Sequence, residues 1–208
     1  MKRIKSVMLG LTLIIGIGLI YNYIQLNKVK EVSISSNYIK YESAEELEKG
    51  AELILIGNTK TEFMKREHIT TFMSNGAIAD FYTLLDFNIK EVVKKPSDFS
   101  LDSSKMIKII EPAGFITKEK IKSEEHNVNT IIKDETYEPL EKNVDYIVFL
   151  KKNDKGQYGI INMYRGKFEL NKNINPKFHS NEEELDKSYK KMKEEVLKKY
   201  SNNIEKIK

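Results

Sequence analysis

The sequence predicts a mainly β (α+β) chain: a small barrel of five to six strands with a short N-terminal helix and an amphipathic C-terminal helix, preceded by one transmembrane helix. Three observations carry that expectation. Residues 6–24 are uncharged and follow Lys2, Arg3 and Lys5. Between Ala51 and Leu170, short apolar runs rich in branched residues alternate with turn signals containing Gly, Asn and Pro. Near the C-terminus Leu185, Tyr189, Met192, Val196, Tyr200 and Ile204 recur every three or four residues, the spacing of one helix face.

An uncharged run of about 20 residues is long enough to cross the hydrocarbon core as a helix, and basic flanks stay on the cytoplasmic side. Residues 1–5 then form a cytoplasmic n-region, with Lys2, Arg3 and Lys5 at one membrane interface and Tyr21 and Tyr23 at the other. A cleaved secretory signal is the alternative, giving a secreted product. It would have a shorter apolar core and small residues at a cleavage site, whereas Tyr21-Asn22-Tyr23-Ile24-Gln25 offers none. With no cysteine in the chain, lipoprotein modification is excluded. Ser6 with Gly10 and Thr12 with Gly16 are small-residue pairs of the kind that lets membrane helices approach, but such pairs are common, and a monomeric tether is the simpler reading.

Residues 25–42 read as a polar tether leading into a domain over 43–170. Ser43-Ala44-Glu45-Glu46 is a capping box that starts a short helix ending at Gly50. Ala51 to Gly57 is a strand, and Asn75-Gly76 marks a hairpin turn. From Ala77 to Lys95 the period is two, with Phe81, Leu85, Phe87, Ile89 and Val93 on one face and Thr83 and Glu91 as exceptions. The two strands flanking Asn75-Gly76 are then each unusually long for a flat sheet, so bending or bulging around a small barrel is expected, with Gly57 a suitable bend point.

Met106 to Ile110 is a third strand, ending before Pro112-Ala113-Gly114. Residues 116–143 read as a long connection with a short strand near Thr130-Ile131-Ile132. Val144 to Leu150 is a strand, Asn153-Asp154-Lys155-Gly156 a turn, and Tyr158 to Leu170 the return, broken near Arg165-Gly166. In the linker and helix over 171–208, Ser180-Asn181-Glu182-Glu183 is a second capping box. Acids at the helix start and Lys198 and Lys199 near its end suit the helix dipole, and its apolar stripe is expected to pack on the barrel.

Charge and composition restrict the function. Of the 35 basic residues five lie in residues 1–30, where no acid occurs, so the remainder is close to neutral against its 31 acids and the chain's +4 belongs to the anchor and its flanks. Nothing global draws the outer domain to nucleic acid. Without disulfides, the domain must be held by its core, for which about 150 residues suffice.

The succession of Ser43 to Gly57, Ile89-Lys90-Glu91-Val92-Val93-Lys94, Pro112-Ala113-Gly114, Tyr146 to Leu150, Gly156 with Tyr158, and Gly166-Lys167-Phe168 resembles a set of exported and membrane-anchored bacterial proteins. Their outer domain is similar to the netrin-like domain of tissue inhibitors of metalloproteases, so the resemblance implies an OB-like five-stranded barrel over about residues 43–170. Such inhibitors reach a target zinc with an N-terminal cysteine and its free amine. That route does not carry over to a chain without cysteine. Lys95-Pro96 and Ala113 also stand where the bacterial set commonly has glycine.

Catalytic and cofactor signatures are missing. His68, His126 and His179 lack the helical spacing that converges ligands on a metal, no Gly-x-Ser-x-Gly elbow occurs, and no phosphate-cradling glycine motif lies outside residues 6–24. No cofactor, metal or nucleic-acid partner is therefore expected. The strongest candidate contact surface is the first hairpin tip, where Phe72, Met73, Ser74 and Asn75 surround the turn and can anchor a partner. The reading that results is a single-pass, membrane-tethered extracytoplasmic binding module, without catalysis, that contacts the bilayer through its N-terminal helix and an envelope protein, wall polymer or lipid through its domain. Its rivals are an envelope hydrolase with a site of scattered Glu, Asp, Tyr and His, and an inhibitor-like secreted factor.

Overall fold

The computed structural model describes residues 29–35, 37–120, 128–171 and 183–208. Lys2, Arg3, Lys5, Tyr21, Tyr23, His126, His179 and residues 180–182 of the second capping box lie outside them. Among the described residues no helix is long and apolar enough to cross a membrane.

Among the described residues ten strands form two sheets. The chain runs β1 (Val29–Ile34), α1 (Ala44–Gly50), β2 (Leu53–Asn58), β3 (Glu67–Phe72), β4 (Ile78–Lys94), β5 (Met106–Glu111), β6 (Ala113–Ile116), β7 (Asn129–Asp134), β8 (Tyr146–Lys152), β9 (Tyr158–Ile160), β10 (Lys167–Glu169), α2 (Glu183–Lys199) and α3 (Ser201–Glu205). β2, β4, β5, β9 and β8 pair in that order and β8 returns to β2, closing a five-strand barrel. Numbered along the chain, the barrel strands follow the order 1-2-3-5-4-1, and the contact between the third and fifth, β5 and β9, is parallel. The free edge of β8 is divided: Leu150 to Lys152 pair with β9, and Tyr146 to Val148 pair with β10.

Coverage on both faces explains why β2 and β8 are apolar without alternation. Leu53 and Leu55 join Leu85, Phe87, Ile109, Val148 and Leu150 inside the barrel. Ile54, Ile56, Ile147 and Phe149 point the other way, onto Ala44 and Leu47 of α1 and Tyr189, Met192 and Val196 of α2. The C-terminal stripe thus packs in cis, and each fully buried side chain of this size contributes about 1.5–3 kcal/mol.

Bending comes from bulges. Leu55 opposes Val92 after Ile54 opposes Lys94, and Gly57 opposes Ile89 after Ile56 opposes Glu91, so β4 carries an extra residue twice against β2. Each extra residue turns the strand and shifts which face is inside. Gly57 fits the tighter of these approaches, since a Cβ there would lie 2.0 Å from the Asn88 carbonyl oxygen. Thr83, an exception to the apolar period, is fully buried and donates to the Ala113 carbonyl at 2.6 Å.

Several expectations need correction. Val29–Ile34, inside the stretch read as tether, is a strand paired in parallel with β7, and β6 completes this second sheet. β6 was hidden because Pro112 breaks the chain between β5 and β6, letting one continuous segment pass from the barrel to the small sheet. β2 and β3 are separate strands with a 3₁₀ turn at Phe63–Lys65 between them, so only β4 is long. The return after Tyr158 does break where expected, near Arg165-Gly166, at a 3₁₀ turn over Met163–Gly166. In the first capping box Ser43 Oγ accepts from the Glu46 amide at 3.2 Å, but the Glu46 carboxylate takes the Glu42 amide at 2.9 Å instead of that of Ser43.

Candidate functional site

The hairpin of β3 and β4 leaves the barrel at Thr83, the first β4 residue that pairs with β5. Five residues, Ile78 to Tyr82, continue past that point, paired within the sheet to β3 alone. At about 3.4 Å per residue the arm extends some 17 Å.

At the tip three residues, Ser74 to Gly76, form the loop, one more than the two-residue form that Asn-Gly favours. The Gly76 amide donates to the Met73 carbonyl at 2.9 Å and the Met73 amide to the Ala77 carbonyl at 2.7 Å. Gly76 sits at φ 86°, a left-handed conformation that a side chain resists, and Asn75 Oδ1 accepts from the Ala77 amide at 3.0 Å. Asn75 is therefore a turn-former. Phe72 lies opposite Ile78, and Phe72, Met73 and Ile78 are 39%, 55% and 38% exposed. Phe72 to Gly76 and Lys120 line a concavity of about 260 Å³. The structure thus brings Phe72, Met73 and Asn75 together and adds Ile78 and Lys120.

The base of the same hairpin is the reverse. Arg66, just before β3, places Nη1 2.5 Å from Glu111 Oε2 with both side chains buried, and its other donors reach the Leu140 and Thr61 carbonyls. Glu111 Oε1 accepts from the Tyr137 hydroxyl at 2.9 Å and the Leu140 amide at 2.8 Å. Burial, reinforced by the Glu111 charge, pushes the Tyr137 phenol well above its usual range and keeps it a donor. Nearby, Lys167 carries its Nζ 5.1 Å from the Tyr137 ring and 5.4 Å from that of Tyr146, and burial pulls its ammonium down to about 8. No sequence motif announces this cluster: Arg66 and Glu111 are 45 residues apart in a chain where a third of residues are charged.

His68 is half-buried. Its Nδ1 lies 3.1 Å from the Phe115 amide nitrogen and 2.8 Å from Thr83 Oγ1. Burial lowers its pKa, and the Phe63 and Phe115 rings meet it edge-on, so it acts as a neutral strut between β3, β4 and β6. Among the described residues no group of three or more His, Asp or Glu is placed to hold a metal ion. A second concavity, about 430 Å³, runs between Asn143–Asp145, Glu169–Asn171 and the C-terminal Ile204 and Ile207. Its Asp145 is already paired with Lys90 at 2.7 Å and Asn58 at 2.7 Å.

No family model, no curated protein and no solved structure matches this chain.

Proposed function

We propose that this chain is a membrane-tethered extracytoplasmic binding module, without catalysis, whose barrel is of the OB type and whose contact surface is the β3–β4 hairpin tip. The strand order 1-2-3-5-4-1 with one parallel contact supports the OB-type reading, and the likeness to netrin-like domains belongs to the same proposal. Tethering rests on residues 6–24 and their basic flank.

One observation carries the binding role: the tip leaves Phe72, Met73 and Ile78 to solvent on a braced arm, while Arg66, Glu111 and Tyr137 at the base satisfy one another. Braced apolar side chains beside a concavity suit a partner; charges that are mutually saturated and buried offer no free acid, base or nucleophile.

The experiment is fractionation of cells expressing the full chain, combined with a reporter fused after Lys208. The expected result is a product that resists alkaline extraction from membranes and a reporter active only outside the cytoplasm. A freely soluble full-length product, or a reporter active in the cytosol, overturns the proposal.

A further inference from the structure

We infer that the β3–β4 hairpin tip is seated in the lipid interface of the same membrane that carries residues 6–24, so that the module's ligand at this surface is the bilayer. This rests on the reading of 6–24 as the anchor and names the partner of the contact surface proposed above.

Chain length is the first constraint. The uncharged run ends at Ile24 and β1 begins at Val29, five steps later. Five residues span at most about 16–18 Å even when fully extended. Because β1 is paired along its whole length with β7, the domain itself, and not a free tether, starts within that distance of the membrane.

The tip lies at the end where β1 begins. Val29 is opposite Asn129, Asn129 Oδ1 accepts from the Lys118 amide at 3.0 Å, and Lys118–Lys120 is a single 3₁₀ turn. Lys120 in turn lines the concavity with Phe72 to Gly76. One short turn therefore joins the membrane-proximal start of the domain to the hairpin tip. The β8–β9 turn lies at the opposite barrel end, since β5 runs away from it toward Glu111, whose partner on β4 is Thr83 at the hairpin base.

What is exposed at this end suits a bilayer. Of eight large apolar side chains exposed among the described residues, Val29, Phe72, Met73 and Ile78 are here. An amphipathic surface sinks its apolar side chains about 5–10 Å into the boundary between headgroups and acyl chains, and the arm of some 17 Å has that reach. Among the described residues, Lys30, Lys118 and Lys120 supply cations for lipid phosphates beside the apolar patch, with Glu119, Asp80 and Glu31 the acids nearby. The near balance of charge makes insertion of the apolar tip, more than attraction to anionic lipid, the main contribution.

The chain contains no tryptophan, so a single introduced one reports on its own surroundings. The full chain is purified as Phe72→Trp, Met73→Trp and Asp154→Trp, the last in the exposed β8–β9 turn, and each is reconstituted in vesicles of phosphatidylethanolamine and phosphatidylglycerol with and without acyl-chain bromination. The expected result is blue-shifted emission from positions 72 and 73 that brominated lipid quenches several-fold, and water-like, unquenched emission from position 154. The two tip variants guard against one failing to fold. Unquenched emission from both tip positions overturns the inference, whether the tip is wet or is covered by protein such as a second copy. If the chain still resists alkaline extraction in that case, the anchor stands and only the seating fails. A chain that does not remain with membranes at all overturns the underlying reading instead.

Discussion

The base and tip of the β3–β4 hairpin are built from one continuous stretch of chain yet dispose of their side chains in opposite ways. At the base, Arg66 spends its guanidinium on Glu111, Leu140 and Thr61, Glu111 takes Tyr137 and the Leu140 amide, and Thr83 caps the Ala113 carbonyl. At the tip, the side chain of Asn75 and the backbone close the turn, and the apolar side chains are left outside. Burial at the base makes every polar atom need a partner; extension beyond the barrel frees the tip from that requirement. The arm is thus held by its root and available at its end.

The sharpest way to break this contrast is at the root. Arg66→Ala leaves Glu111 buried without its cation, and removing one partner of a buried pair costs about 3–5 kcal/mol. Urea unfolding is expected to show a loss of that size. An Arg66→Ala chain within 1 kcal/mol of wild type would mean that the cluster does not hold the hairpin.

Lys167 gives the next effect, through pH. Its folded-state pKa is depressed to about 8 from 10.5, so between those values the unfolded chain binds a proton that the folded chain does not. Stability therefore rises with pH across that window, by up to about 3 kcal/mol. Tyr137, held protonated by burial, acts in the opposite direction above about pH 10 and bounds the useful range. Unfolding curves between pH 7 and 10 are expected to show Lys167→Met more stable than wild type at the low end, with the gap closing upward. A constant gap would show that the Lys167 ammonium does not titrate in this range.

At the tip the effects shrink. Gly76→Ala forces a side chain into the left-handed region at a cost of about 1 kcal/mol, read as a small drop in the unfolding midpoint. Phe72→Ser, at an exposed position, is expected to change stability by no more than about 0.5 kcal/mol while weakening contact with the partner surface. A loss of several kcal/mol at Phe72 would place it in the core and end the contrast.

Much of the scaffold was legible because its signals are local. Gly76 and Gly156, at φ 86° and 74°, close the two turns that Asn75-Gly76 and Asn153 to Gly156 announce. The runs Leu53 to Ile56 and Ile147 to Leu150 declared strands because both faces are covered. Pairings between distant segments left little trace. β1 and β7 are separated by about a hundred residues and form a parallel pair whose β1 side is mostly exposed, so Val29–Ile34 reads as polar. The Arg66–Glu111–Tyr137 cluster is built from residue types that composition assigns to the surface, and only the closed barrel turns them inward. Phe72, Met73 and Asn75 were found because a tip is defined by its turn; Ile78 is set opposite Phe72 by register, while Lys120 depends on the small sheet's placement.

The most direct test of an anchored module working through its hairpin tip is photocrosslinking in intact cells, with a photoreactive side chain at position 73 and a control at position 154. The account predicts lipid adducts at position 73 of a membrane-bound chain and none at position 154. Equal labelling at both positions, or a tip that labels only water while the chain remains in the membrane, contradicts it.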